Sequence, residues 1–160
     1  MDQRPDHGFG VDRESLSYQI RPALGDEAAA IRRLIHAVHI NPISLDWRRF
    51  IVAVDKDGIL LGCGQIKPHK DGSRELASIA VEAEFRGRGI ATAIIHTLLL
   101  EHSSPLYLTC RASLGSFYER FGFQRVPAQA MPPYFRHLRN LIQFARRFRN
   151  WEEILVMIRS

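Results

Sequence analysis

The sequence predicts a mixed α/β domain, and three observations carry that prediction. Short β-branched runs alternate along the chain with stretches of helical periodicity. Three of the runs, 50–54, 59–66 and 76–81, follow one another with only turn residues between them. A full helix, from Gly87 to about His102, then separates run 76–81 from the next one, 106–110. Runs joined by tight turns pair antiparallel, whereas runs joined through a helix pair in parallel. The predicted order is β-α-(α)-β-β-β-α-β-α-β-α-β in one mixed sheet.

Taken in order, residues 1–15 are polar and include Pro5, Gly8 and Gly10, which predicts a flexible tail ahead of one domain over 16–160. Tyr18-Gln19-Ile20-Arg21 is a short strand ended by Pro22. Gly25-Asp26 offers a helix N-cap, and Ala28, Ile31, Leu34, Ile35 and Val38 recur at helical spacing, so a helix is expected over 26–39. His36 and His39 lie three apart on it without a third metal ligand, which reads as surface or helix-end histidine. Asn41-Pro42 breaks the helix. Residues 43–47 form a second short helix or an ordered loop. Runs 50–54 and 59–66 make a hairpin around Asp55-Lys56-Asp57-Gly58. Gly62 and Gly64 inside the returning strand predict a bulge or a close backbone approach. A turn over 68–73 leads into run 76–81.

After the long helix, Ser103-Ser104-Pro105 makes a break before strand 106–110. A short helix over 114–121 stops at Gly122, and 123–126 is a further strand. Met131-Pro132-Pro133 opens the last section. There Phe135, Leu138, Leu141, Ile142, Ala145 and Phe148 share one helical face, with Arg136, Arg139, Arg146, Arg147 and Arg149 mostly on the rest. An amphipathic helix packed on the domain with a solvated arginine face fits better than a nucleic-acid or membrane-surface helix. Strand 154–158 closes the chain.

The 160 residues suit one domain with a sizeable core, and 46% apolar with 24% charged residues is an ordinary globular balance. The net charge of +5 favours anionic partners without choosing among a phosphorylated cofactor, nucleic acid and an acidic protein. Cys63 and Cys110 lie within apolar runs and read as small hydrophobes. Two cysteines make neither a disulfide framework nor a zinc site. The first residues lack the apolar core of a signal peptide, and no stretch approaches the ~20 apolar residues of a membrane span. A cytoplasmic protein without membrane contact is expected.

The chemistry concentrates in residues 75–100. A strand, a glycine-rich turn and a helix follow one another there, an arrangement that builds an anion site. The first helical turn has free N–H groups and partial positive charge. Gly87 and Gly89 let the backbone come close, and Arg86 and Arg88 add charge suited to phosphate oxygens. The stretch is not a P-loop, because no Lys-Ser or Lys-Thr follows the glycines. It also departs from the dinucleotide fingerprint, with Thr92 at the third glycine position. What it satisfies is R-x-x-G-x-A, through Arg86, Gly89 and Ala91. A solvated basic turn or part of an RNA-binding RGG segment would fit the six residues as well, but a disordered RGG tract has neither the strand before nor the helix after.

This pattern resembles the acetyl-CoA pyrophosphate loop of the GCN5-related N-acetyltransferases (GNAT). Phe117-Tyr118-Glu119-Arg120-Phe121-Gly122-Phe123, about thirty residues later, resembles the FYxxxGF segment of the same family. The element order from Tyr18 to Phe123 is similar too, so the resemblance covers about two-thirds of the chain. Within the family, ELASIAV followed by R-x-x-G-x-A is similar to acetyltransferases acting on amino acids, including the N-acetylglutamate synthase type.

The resemblance implies acetyl-CoA as co-substrate and no metal or second cofactor. Strands 76–81 and 106–110 would splay, with pantetheine in the gap along Ile79, Ala80 and Val81, bonded by backbone groups of Ile79 and Val81. A backbone N–H near Val81 would stabilise the oxyanion. Arg86, Gly87, Arg88, Gly89, Ile90, Ala91 and Thr92 would hold the pyrophosphate. Tyr118 would protonate the departing thiolate. Arg111 stands where family members often carry Asn, so that cofactor contact is not carried over.

For the base that must deprotonate an amine acceptor, Glu75 at the entrance of the central strand is the candidate, acting directly or through water. His69 and Glu82 are weaker ones, and Glu75 reads equally as a solvent-facing strand-end charge. Tyr118 reads alternatively as a member of an aromatic core with Phe117 and Phe121. The expected function is acetyl transfer to a primary amine of a small molecule or amino acid. Two alternatives stay open. One is an acyl-CoA-binding protein without turnover. The other is a basic nucleic-acid module, disfavoured because aromatics do not interleave with basic residues on any strand face. The acceptor pocket is expected to involve 40–47 and 127–134, with Trp47 and Tyr134. The acceptor's identity and the oligomeric state, a homodimer included, stay open.

Overall fold

The computed structural model describes residues 17–147 and 152–160. The expected N-terminal tail, Phe148 and Arg149 lie outside the described residues. Seven strands are found among the described residues: β1 Tyr18–Pro22, β2 Phe50–Asp55, β3 Leu60–Pro68, β4 Arg74–Val81, β5 Leu106–Arg111, β6 Gln124–Arg125 and β7 Ile154–Arg159. The helices are α1 Ala28–Ala37, α2 Ile90–Glu101, α3 Gly115–Glu119 and α4 Pro133–Arg146. The strands form one sheet in the order β1-β2-β3-β4-β5-β7-β6. All neighbours are antiparallel except β4 and β5, which run parallel because α2 carries the chain back between them. The expected mixed α/β architecture is the observed one.

Several boundaries differ for identifiable reasons. A 3-10 turn, Gly25–Glu27, precedes α1, and Asp26 makes no cap bond. Glu27 takes that part: its carboxylate accepts from the Leu24 N–H at 2.7 Å and pairs with Arg21 at 2.6 Å. Residues 43–47 do not form a helix. The segment ends in a 3-10 turn, Trp47–Arg49, whose entry Asp46 caps by accepting from the Arg48 N–H at 3.1 Å. The long helix starts at Ile90 rather than Gly87, since Gly87 (φ 74°) and Gly89 (φ 81°) hold left-handed conformations that no helix can include. On α4, Phe135 is fully buried but Leu141, expected on the same buried face, is 65% exposed.

One face of the sheet is covered by α2. Ile90, Ile94, Ile95 and Leu98 pack there on Leu61, Ile66, Leu76, Leu106 and Leu108. The opposite face is shared. At one end α1 sets Ile31, Leu34 and Ile35 on Val52, Cys63 and Ala80. At the other, Phe135 of α4 packs with Met131, Val126 and Val156. Neither helix supplies a core to the middle of that face. Gln65, Lys67, Glu75 and Ser78, the buried polar side chains among the described residues, all lie on β3 and β4.

The bulge expected at the glycines of β3 is present, and its extra residue is on β4. Register runs Cys63↔Ala80 and then Gln65↔Ala77, so Gly64 faces both Ser78 and Ile79. Ser78 is held at φ 59°. Gly64 makes room for the doubled strand: a Cβ there would stand 2.5 Å from Ile79 Cδ1 and 2.9 Å from Ile94 Cγ2. Gly64→Ala should therefore destabilise the domain by about 1–3 kcal/mol, the range for overpacking a filled core. Urea unfolding checks this, and an unchanged midpoint would show that β4 has slack at the bulge. On its other edge β4 meets β5 in register at Glu75↔Tyr107 alone. Beyond that pair the two strands part, as the family resemblance implied.

Candidate active site

At the far end of the gap the chain turns through Glu82, a 3-10 turn over Ala83–Phe85, and the segment 86–89 before entering α2. The first helical bond is from the Ala93 N–H to the Gly89 carbonyl, at 3.0 Å. The N–H groups of Gly87, Arg88, Gly89, Ile90, Ala91 and Thr92 have no partner among the described residues. Nothing lies within 4 Å of where a Cβ would project from Gly87 or Gly89. The result is an open cradle of amide donors at a helix N-terminus. The arginines differ in their engagement. Arg86 Nε donates to the Val81 carbonyl at 3.2 Å, tying the loop to the end of β4. Arg88 sits 5.7 Å over the Phe85 ring.

The segment Ile79-Ala80-Val81 lines the gap with its backbone, while its side chains are spent on packing. Val81 is in the α2-side core and Ile79 packs against it, whereas Ala80 packs under α1. Tyr118, on α3, is brought to the same region by packing on the α2-side core. Its ring makes edge contacts with Phe117 at 5.0 Å and Phe123 at 6.3 Å. Its hydroxyl has no hydrogen-bond partner among the described residues. Burial, with a smaller contribution from nearby Cys110, pushes the phenol up to about 12. Tyr118 is thus both an aromatic packer and a protonated donor at neutral pH.

Glu75 sits where the gap closes, and only 6% of it is exposed, which corrects the solvent-facing reading. Its Oε1 accepts from Thr109 Oγ1 at 3.0 Å and its Oε2 from His69 Nε2 at 2.8 Å. His69 is stacked on Tyr134, with ring centroids 3.5 Å apart. Tyr134 is held in turn by its N–H, which donates to Asp71 Oδ2 at 2.9 Å. The Ser73 hydroxyl and then the Tyr134 amide hold the Asp71 carboxyl down at about 2. Two of the three base candidates therefore form one unit, Glu75 with His69. Glu82 is separated from them by the length of β4, about 20 Å. It lines a different cleft, with Arg21, Glu27 and Arg33. Trp47 is also elsewhere: it packs beside Gly25 at the start of α1, whose Cβ would meet its ring at 3.4 Å. Thr109, Gln65, Lys67 and Ser78 were not foreseen. The available signal was a polar residue at alternate positions of otherwise apolar strands, as in Gln65-Ile66-Lys67 and Glu75-Leu76.

A family model described as an acetyltransferase (GNAT) domain matches residues 46–125, half of the chain, from the turn before β2 to the end of β6. The chain belongs to the GNAT acetyltransferase family. The match includes the amide cradle, Glu75 and Tyr118. Solved structures agree on the GNAT fold. Rv2747 from Mycobacterium tuberculosis, in complex with CoA and NLQ, is 19% identical with a TM-score of 0.69, over 89% of this chain and 98% of that one. N-acetylglutamate synthase from Neisseria gonorrhoeae, complexed with coenzyme A and N-acetyl-glutamate, is 19% identical with a TM-score of 0.64, over 89% of this chain and 35% of that one. Escherichia coli ElaA is 19% identical with a TM-score of 0.63, over 90% of this chain and 99% of that one. No curated protein sequence matches this chain. No group of three or more His, Cys, Asp or Glu side chains able to hold a metal occurs among the described residues, and none of their helices is long and apolar enough to cross a membrane.

Proposed function

We propose that this GNAT domain, residues 16–160, moves the acetyl group of acetyl-CoA to a primary amine of a small molecule or amino acid by direct attack. One observation carries the reading: a single strand gap has the amide cradle at one end and the buried Glu75–His69 pair at the other. CoA in the Mycobacterium and Neisseria structures supports acetyl-CoA as the donor.

In this reading the 86–92 loop binds the pyrophosphate, and the β4 backbone from Ile79 to Val81 orients the pantetheine arm. An alkyl ammonium has a pKa near ~10.4, so reaching the nucleophilic amine at pH 7 costs roughly 4–5 kcal/mol. Glu75 stands six residues along β4 from Val81 and takes that proton through ordered water, while His69 and Thr109 keep its carboxylate oriented. The amine nitrogen bonds to the thioester carbon, an N–H near Val81 stabilises the oxygen that becomes negative, and the C–S bond breaks. Tyr118 gives the departing sulfur its proton.

Tyr118 has an ordinary pKa of 10.0, and its folded-state value is raised to about 12. The stability linked to its neutral form is complete below pH 10 and is lost as pH climbs through about 12. The acid therefore stays loaded across the working range. Tyr118→Phe should lower kcat about 100-fold with little change in the KM for acetyl-CoA. An equal kcat would return Tyr118 to a packing role alone. The reading as a whole is tested by calorimetric titration with acetyl-CoA, dephospho-CoA and a short RNA, followed by thiol release over a panel of amines. Acetyl-CoA binding with amine-dependent thiol release supports it. Acetyl-CoA binding without any release favours the acyl-CoA-binding alternative. Salt-sensitive RNA binding without acetyl-CoA binding would move the weight to a nucleic-acid module.

A further inference from the structure

We propose that Lys67 and Gln65 recognise the acetyl acceptor, and that the acceptor is an amine carrying a carboxylate a few bonds away, an amino acid in chemical class. This rests on the acetyltransferase reading and deepens it. The argument starts from β3 and β4. Ile66 and Leu76 point into the α2-side core. Their strand neighbours Gln65, Lys67 and Glu75 therefore project from the opposite face, between the areas covered by α1 and α4. Lys67 and Glu75 are register partners, which sets their Cβ atoms about 5 Å apart.

The side chains there are incompletely satisfied in a particular way. Lys67 is only 9% exposed, yet its ammonium has neither a hydrogen bond nor an ion pair among the described residues. Among the described residues no ion pair joins it to Glu75, whose carboxylate is bonded to His69 and Thr109 and keeps further lone pairs free. Gln65 is fully buried. Its Nε2 donates to Ser78 Oγ at 3.0 Å, and its Oε1 has no partner. A buried unpaired acceptor is destabilising, and native interiors keep few of them, while the Lys67 ammonium, at the tip of a largely buried side chain, keeps its access to solvent on the same face. Here both stand on one face, two residues apart, beside the candidate base.

A ligand that completes this set brings a negative group to Lys67 and an N–H to Gln65 Oε1, and its amine must also reach Glu75. An amino acid has all three features. The single cation of Lys67 matches a carboxylate, of charge −1, better than a phosphate dianion. A plain alkylamine would leave Lys67 unpaired, and a second cation near it would be repelled.

The test is thiol release by the full chain with free amino acids, the corresponding amino-acid amides, aminoalkyl phosphonates and simple alkylamines, for wild type, Lys67→Met and Lys67→Arg. Acetyl-CoA affinity is measured alongside by calorimetry. Wild type should prefer the free amino acids over their amides. Lys67→Met should lower the amino-acid to amide ratio of kcat/KM about 100-fold, through the amino-acid KM, and Lys67→Arg should recover part of it. Turnover with alkylamines, amides or phosphonates in preference to amino acids overturns the proposal, as does an unchanged ratio in Lys67→Met. If Lys67→Met does not fold, the wild-type preference and Lys67→Arg decide. Failure to bind acetyl-CoA at all is a different result, which sinks the acetyltransferase reading itself.

Discussion

Replacing Glu75 with Gln should lower kcat/KM for the amine about 10³-fold at pH 7 and leave acetyl-CoA affinity within about twofold, in keeping with the usual effect of losing a positioned general base. The substitution is close to isosteric. The amide oxygen can still accept from Thr109, and the side chain remains at the closed end of the gap, away from the amide cradle. What disappears is the proton acceptor. At pH 7 the ammonium form of the acceptor is favoured by roughly 4–5 kcal/mol, and solvent must then carry the proton. The deficit should shrink as pH rises towards ~10, where the free amine becomes abundant without help. Steady-state kinetics from pH 6 to 10 check both parts. A loss below about threefold, or a deficit independent of pH, would mean that the amine is deprotonated elsewhere.

Gly89→Glu should weaken acetyl-CoA binding about 100-fold or more. Two physical effects combine. Gly89 holds φ 81°, a conformation that costs an L-residue about 1–2 kcal/mol. The added carboxylate would also project into open space at the amide cradle, since nothing lies within 4 Å of its Cβ position. At ~5–6 Å from a phosphate, with an effective dielectric of ~20, the repulsion is roughly 3 kcal/mol. Gly89→Ala separates the two effects, because it retains the backbone cost and adds no charge. Calorimetry should give the Glu variant a much larger Kd than the Ala variant, and added salt should narrow the difference. Equal Kd values for the two variants would place the pyrophosphate away from this loop.

The ordering of elements could be read from the sequence because each strand or helix is set by short-range pattern. Period-2 runs, helical spacing and glycine or proline breaks mark where one face must be buried. The cradle and Tyr118 could be read for the same reason, each motif being contiguous. Helix ends were less accurate. Glu27 rather than Asp26 meets the Leu24 amide because Arg21, on the preceding strand, holds its carboxylate in place. Leu141 satisfies the spacing of an apolar face, but α4 turns Phe135, Leu138 and Ile142 towards the sheet and leaves Leu141 exposed at the edge of that face.

The sequence by itself determined a mixed sheet with one parallel crossover, a phosphate-ready loop at the start of α2 and a tyrosine on the helix that follows. Tertiary structure alone decided that β7 enters between β5 and β6, that the doubled position of the bulge falls on Ser78 and Ile79, and that Glu75 is buried against His69 and Thr109. Local pattern says which face of a strand is apolar, but not which strand lies beside it. Thr109 is 34 residues from Glu75, and their bond exists only because β4 and β5 pair at one register position before separating. The unpaired state of Lys67 and Gln65 has the same origin: it is a property of what surrounds two side chains after seven strands have found their neighbours, and no spacing along the chain records it.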